Sequence, residues 1–100
     1  MVRLKDILVE VVEVTGNCDA GLKKGDKFVL SGANIDLKRS DKICYWALSD
    51  LMPALFSLQL DHDPKELGLS KEAEVAYMCC SDPGPPYTPG AHVLFKARKL

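Results

Sequence analysis

The sequence predicts a small α+β fold, a mostly antiparallel sheet of about four strands packed against a central helix or broken helix pair. Three observations predict it. Segments of alternating, β-branched residues lie towards both ends, one longer segment between them repeats its apolar residues at helical spacing, and clusters of Gly, Asp, Asn, Ser and Pro separate the pieces. A chain of 100 residues can build one core but not two, so residues 1–100 are read as a single domain.

The first strand is expected within residues 6–15, where Ile7, Val9 and Val11 alternate onto one side and Leu8, Glu10 and Val12 onto the other. The neighbouring Val11 and Val12 disturb that alternation, which requires either two covered faces or a bulge. Thr15, Gly16 and Asn17 supply turn chemistry, and Gly21 and Gly25 bracket a polar loop. A short strand, Lys27 to Leu30, follows and is closed by Ser31 and Gly32. Ser40 and Asp41 carry oxygens suited to capping a first helical turn, so a helix is expected to begin there. Ile43, Cys44, Ala47, Leu48, Leu51, Leu55 and Leu58 recur at spacings of three, four and seven and form one broad apolar face. Pro53 removes an amide donor inside this pattern and predicts a break near Met52.

Asp61 to Pro64 reads as a loop, and Lys65 to Leu69 as a helical turn ended by Gly68. Val75, Tyr77 and Cys79 alternate with Glu74, Ala76 and Met78, which favours a strand stopped by Ser81-Asp82-Pro83-Gly84. Four prolines and two glycines between Asp82 and Gly90 exclude a helix or central strand and predict an exposed, stiff loop. The last strand is expected over His92 to Arg98, with Val93, Phe95 and Ala97 facing inward.

Lys and Arg number 13 against 14 Asp and Glu, so no net field concentrates a polyanion or an anionic bilayer around the protein. Nucleic acid and membrane are therefore not the expected partners. No window approaches the roughly 18 to 20 apolar residues that span a bilayer. Charges at residues 3, 5, 6 and 10 also interrupt any secretory apolar core, so a cytoplasmic location is expected. In that compartment the four cysteines stay reduced or bind metal.

Cys18 and Cys44 stand singly and Cys79 and Cys80 are adjacent, so the paired Cys-x-x-Cys knuckles of a zinc ribbon are absent. Adjacent residues of a strand point to opposite faces, which separates Cys79 from Cys80. A metal site would take one thiolate from each of Cys18, Cys44 and Cys80, with Asp82, His92 or solvent completing it, and would suit zinc or an iron-sulphur cluster. The competing reading is plain packing, since free cysteine is among the most buried residue types and Cys44 lies on the apolar stripe. Thiol catalysis would need a base beside a cysteine, and the sequence offers Cys80 with His92.

Four pieces run in order along the chain: Cys18-Asp19-Ala20-Gly21 with Gly25-Asp26-Lys27-Phe28, Cys44-x-x-Ala47-x-x-x-Leu51-x-Pro53, Cys80-Ser81-Asp82-Pro83, and Val93-x-Phe95 before a basic end. Together they resemble an uncharacterised family of small cysteine-containing prokaryotic proteins of about this length. The resemblance implies that Cys18, Cys44 and Cys80 define the family and that Cys79 is extra. It implies no activity. The chain departs from that pattern at Leu22, where a histidine often stands, and in the length of the stretch between Asp82 and His92.

The remaining clusters read as structural. Asp61, His62 and Asp63 could hold a cation but lack the further ligands of a calcium loop. Gly21 and Gly25 match no phosphate-binding fingerprint. Tyr45 and Trp46, with Tyr77 and Tyr87, could line an apolar pocket or a partner surface, although a single tryptophan is expected in the core. Three functional readings follow. The first is a non-catalytic protein binding zinc or an iron-sulphur cluster through Cys18, Cys44 and Cys80. The second is a protein interaction module, self-associating or binding another protein through the proline-rich loop and strand edges, with structural cysteines. The third is a thiol-dependent enzyme using Cys80.

Overall fold

The structure, a computed structural model, describes residues 3–100. Among the described residues five antiparallel strands form one sheet with one α-helix packed against it, which is the α+β class the sequence predicts. The strands are β1 (Ile7–Gly16), β2 (Lys27–Ser31), β3 (Asn34–Ile35), β4 (Val75–Cys79) and β5 (Ala91–Lys99), in the order β3-β2-β1-β5-β4. Thus the two longest strands occupy the middle. The extra strand, β3, is two residues long and folds back on β2 through Gly32.

Register follows from alternation. Ile7 pairs with Leu30, Val9 with Phe28 and Ala97, and Val11 with Phe95, so one face of the sheet gathers these side chains. Ala76 and Met78 join them opposite Ala97 and Phe95. The irregularity expected around Val11 and Val12 is a bulge between Val11 and Glu13. Its effect is a change of parity. Unbroken alternation would turn Glu13 inward, whereas the inserted residue leaves Glu13 exposed and sets Val14 against the core opposite Val93. The loop that follows also closes on this point, because Val11 N–H donates to the Asp26 carbonyl and Gly25 N–H to the Val11 carbonyl. Leu22 from that loop is buried in the core.

The helix, α1 (Tyr45–Gln59), lays Ala47, Leu51, Leu55 and Leu58 on the inner face of the sheet. Each of the three leucines removed from water contributes about 1.5 to 3 kcal/mol. Two expectations are corrected here. The helix begins at Tyr45, not at Ser40 and Asp41, because those oxygens are taken by the edge of β2. Ser40 Oγ accepts from Val29 N–H at 3.0 Å, and Asp41 Oδ2 accepts from Lys27 N–H at 3.2 Å. A two-residue β3 is too short to pair those amides, and an unpaired edge amide outcompetes a helix end that water can solvate. The break near Met52 is likewise absent, for α1 runs unbroken through Pro53. Pro53 stands on the exposed side, where solvent can satisfy the carbonyl it orphans, while Leu51, Leu55 and Leu58 hold the opposite side to the sheet.

The chain beyond α1 forms turns. Leu67 N–H donates to the Asp63 carbonyl and Leu69 N–H to the Pro64 carbonyl, with Gly68 in the left-handed region at φ 76°. This segment then shields the outer edge of β4, since Tyr77 N–H donates to the Leu69 carbonyl at 2.8 Å. Two buried polar residues had no signal in the pattern. Asp26 accepts from the backbone and the ammonium of Lys23, and Gln59 Nε2 donates to the Gly32 carbonyl at 2.8 Å. No helix among the described residues is long and apolar enough to cross a membrane.

Candidate functional site

Two regions carry the residues singled out above: the end of the sheet where the cysteines gather, and the outer face of α1. The first is built by the strand ends. Cys18 follows β1, Cys80 follows β4, and Cys44 stands immediately before the first turn of α1. The C-terminus of α1 is tied to the start of β1 by Lys5 N–H donating to the Gln59 carbonyl, which directs its N-terminus towards the far end. Asp50 of the helix accepts from Ser81 N–H at 2.9 Å, and Lys42 approaches Gly21. All three loci are thereby carried towards one end of the molecule.

There the thiols pack. Cys18, Cys44 and Cys80 are half-buried and lie against the hydrophobic core, whereas Cys79 is exposed on the other face of β4. All four are free. Among the described residues no three His, Cys, Asp or Glu side chains form a group that could hold a metal ion. Cys80 Sγ accepts from Val93 N–H at 3.3 Å and faces the Ala91 carbonyl at 3.6 Å, within donating distance. Its backbone N–H donates to the Val93 carbonyl. The thiol thus extends the pairing of the two strands past the point where β4 ends.

The expected additional ligands, His92 and Asp82, are each engaged through one atom. His92 Nδ1 lies 2.8 Å from the Asp82 carbonyl, an acceptor only, so this nitrogen carries the proton and is not the base for Cys80. Asp82 Oδ1 accepts from Gly84 N–H at 2.9 Å and from the Thr88 hydroxyl. Those two bonds, the hydroxyl first, hold the Asp82 carboxyl below the usual carboxylate range. Asp82 therefore organises the proline-rich loop. The loop sits close on the strands: Gly84, at φ 72°, would place a Cβ 2.8 Å from His92 N, and a Cβ on Gly90 would fall on the Asp82 carboxylate. Stiffness was legible from the prolines, but this anchoring was not.

The acidic cluster is also committed. Asp61 Oδ1 meets Lys99 Nζ at 2.6 Å, and that bond lowers the Asp61 carboxyl pKa. Asp63 Oδ1 accepts from Lys65 N–H at 2.9 Å as a turn cap.

The second region has the opposite character. Trp46, expected in the core, is 72% exposed, and Tyr45 is 76% exposed. The correction has a geometric cause. Ala47, Leu51, Leu55 and Leu58 fix which side of α1 meets the sheet, and Tyr45 and Trp46 fall outside that arc. Their rings meet edge to face with centroids 6.1 Å apart. Met52 and Phe56 continue the same outer side and are also exposed. Only one of the fifteen residues of α1 is charged, Asp50, and its carboxylate is bonded to Ser81 N–H. Tyr77 and Tyr87 belong elsewhere. Tyr77 lies with Leu8, Glu10 and Lys96 on the outer face of the sheet, and Tyr87 projects from the proline-rich loop. The four aromatics therefore do not line one pocket.

No known protein family, curated protein or solved structure matches the chain.

Proposed function

We propose that the protein is an interaction module that binds another polypeptide through the outer face of α1. One observation carries this reading: a solvent-facing helix bears a single charge in fifteen residues and exposes Tyr45, Trp46, Met52 and Phe56 together. Large apolar side chains grouped on the outer side of a helix mark a surface that a partner covers. Here the sheet covers only the inner side, and aromatic and Met side chains are the types enriched at the cores of interfaces. The docking mode is helix against apolar helix, in which anchors recur at i, i+3, i+4 and i+7. Binding of zinc or an iron-sulphur cluster would require Cys18, Cys44 and Cys80 to leave their packed positions, and the thiol-enzyme reading would require His92 Nε2, since Nδ1 donates to the Asp82 carbonyl, to reach a thiol that already bridges the two strands.

A phage-displayed library of amphipathic helices, selected on sparsely immobilised protein, tests the proposal. The expected result is a set of helical binders that lose at least about tenfold in affinity on Trp46→Lys or Phe56→Lys, a loss of about 1.4 kcal/mol. Both side chains lie outside the core, so the variants are expected to keep the circular dichroism of the parent. Selected binders indifferent to both substitutions, or no binders at all, would overturn the reading.

A further inference from the structure

We infer that the polypeptide seated on α1 is α1 of a second copy of this chain, running antiparallel about a two-fold axis that passes between Ser49 and Met52. The inference rests on the interaction reading above and names its partner.

The outward residues are Tyr45, Ser49, Met52 and Phe56, separated by four, three and four positions, and all four are exposed. At about 100° per residue they fall within roughly 60° of arc, a single narrow stripe about three turns long. Alternating steps of four and three form the seam of a left-handed helix pair. The order four, three, four also reads the same in either direction. An isologous contact needs this property, because each copy must present the same patch to its partner reversed.

The side chains fit that symmetry. Reversal about the midpoint sets Tyr45 against Phe56 of the second copy and Ser49 against Met52 of the second copy. Aromatic rings then meet at both ends, and the small serine leaves room for the flexible methionine near the axis. Trp46 and Pro53 flank the stripe and add apolar area. Charge points the same way. The stripe carries no charge with which to select an acidic or basic partner, and Asp50 is turned aside to Ser81, so two copies meet without like-charge repulsion.

Area sets the expected strength. An aromatic side chain buries about 150 to 250 Å², so the exposed fractions of Tyr45, Trp46 and Phe56 supply roughly 300 to 500 Å² per copy. Two copies, with Met52 and Pro53, reach the neighbourhood of 1,000 Å², the lower bound for a specific but weak interface. The dimer is therefore expected to dissociate in the micromolar range.

Sedimentation across protein concentrations from about 1 to 500 μM tests this, bracketing the micromolar scale. The parent chain is expected to pass from monomer to dimer across that range. Met52→Glu and Met52→Lys, each alone, are expected to weaken dimerisation at least about tenfold, because two like charges meet beside the axis. An equimolar mixture of the two is expected to restore it. Restoration on mixing is a signature that a merely destabilised monomer cannot give. A parent that stays monomeric throughout, or a dimer untouched by either charge, would overturn the inference. If displayed helices still bind such a monomer at Trp46 and Phe56, the interaction reading stands and only its partner is wrong; if they do not, both fall.

Discussion

The cysteine end and the outer face of α1 invert the usual ranking of chemical interest. The first holds the residue types associated with catalysis and metals, yet its most suggestive groups are used internally: the Cys80 thiol by the strands, His92 Nδ1 by the Asp82 carbonyl, Asp82 Oδ1 by Gly84 and Thr88. The second holds large apolar side chains that the fold leaves largely uncovered, Tyr45 and Trp46 most of all. Among the described residues no buried side-chain nitrogen or oxygen lacks a hydrogen bond. In a molecule so satisfied, what remains unmet is apolar, and an unmet apolar face is where binding free energy is available. Residue type suggests a site, but unspent interactions locate it.

The contrast is sharpest within α1 itself. Leu55→Ala removes a fully buried side chain and is expected to cost about 2 to 5 kcal/mol, whereas Phe56→Ser, one residue on, removes a half-exposed one and is expected to cost about 1 to 2 kcal/mol. Urea denaturation of the two variants measures both, and similar losses would mean that the outer face is not free. A smaller effect tests the structural role of the thiol. Cys80→Ala leaves Val93 N–H without its acceptor and is expected to cost about 1 to 2 kcal/mol, while Cys80→Ser keeps a donor and acceptor there and is expected to recover part of it. Equal stabilities of the two variants would remove the hydrogen bond from the account.

The smallest effect lies in the pH dependence of the proline-rich loop. The Asp82 pKa is lower in the folded chain than in the unfolded one, so its charge stabilises the fold above about pH 4. That contribution is lost as the pH falls through the folded value. Asp82→Asn keeps a carbonyl acceptor but not the charge, and is expected to flatten the acid limb of a plot of unfolding midpoint against pH. An unchanged acid limb would place the loop's anchoring elsewhere.

Much of the architecture was legible in the residues because it rests on short-range period. The inward sides of β1 and β5, a disturbance of the strand after Val11, the apolar stripe of α1 and the opposite facing of Cys79 and Cys80 all follow from alternation or helical spacing within a few residues. The misreadings share one cause, competition for a group between distant segments. Ser40 and Asp41 are good helix caps by type, yet the unpaired edge of β2, more than ten residues earlier, takes their oxygens. Pro53 breaks helices by type, yet burial of Leu51, Leu55 and Leu58 on the far side holds this one together.

The same division applies to function. Local pattern was enough to determine the fold class, the two central strands and a helix with one apolar side, since each depends on neighbours along the chain. Which side of α1 would remain uncovered, and whether the thiols would meet one another or the core, depended on how the sheet closed over residues far apart in sequence. Spacing determines the angle between Trp46 and Leu51 around the helix axis; only packing determines which of the two faces water.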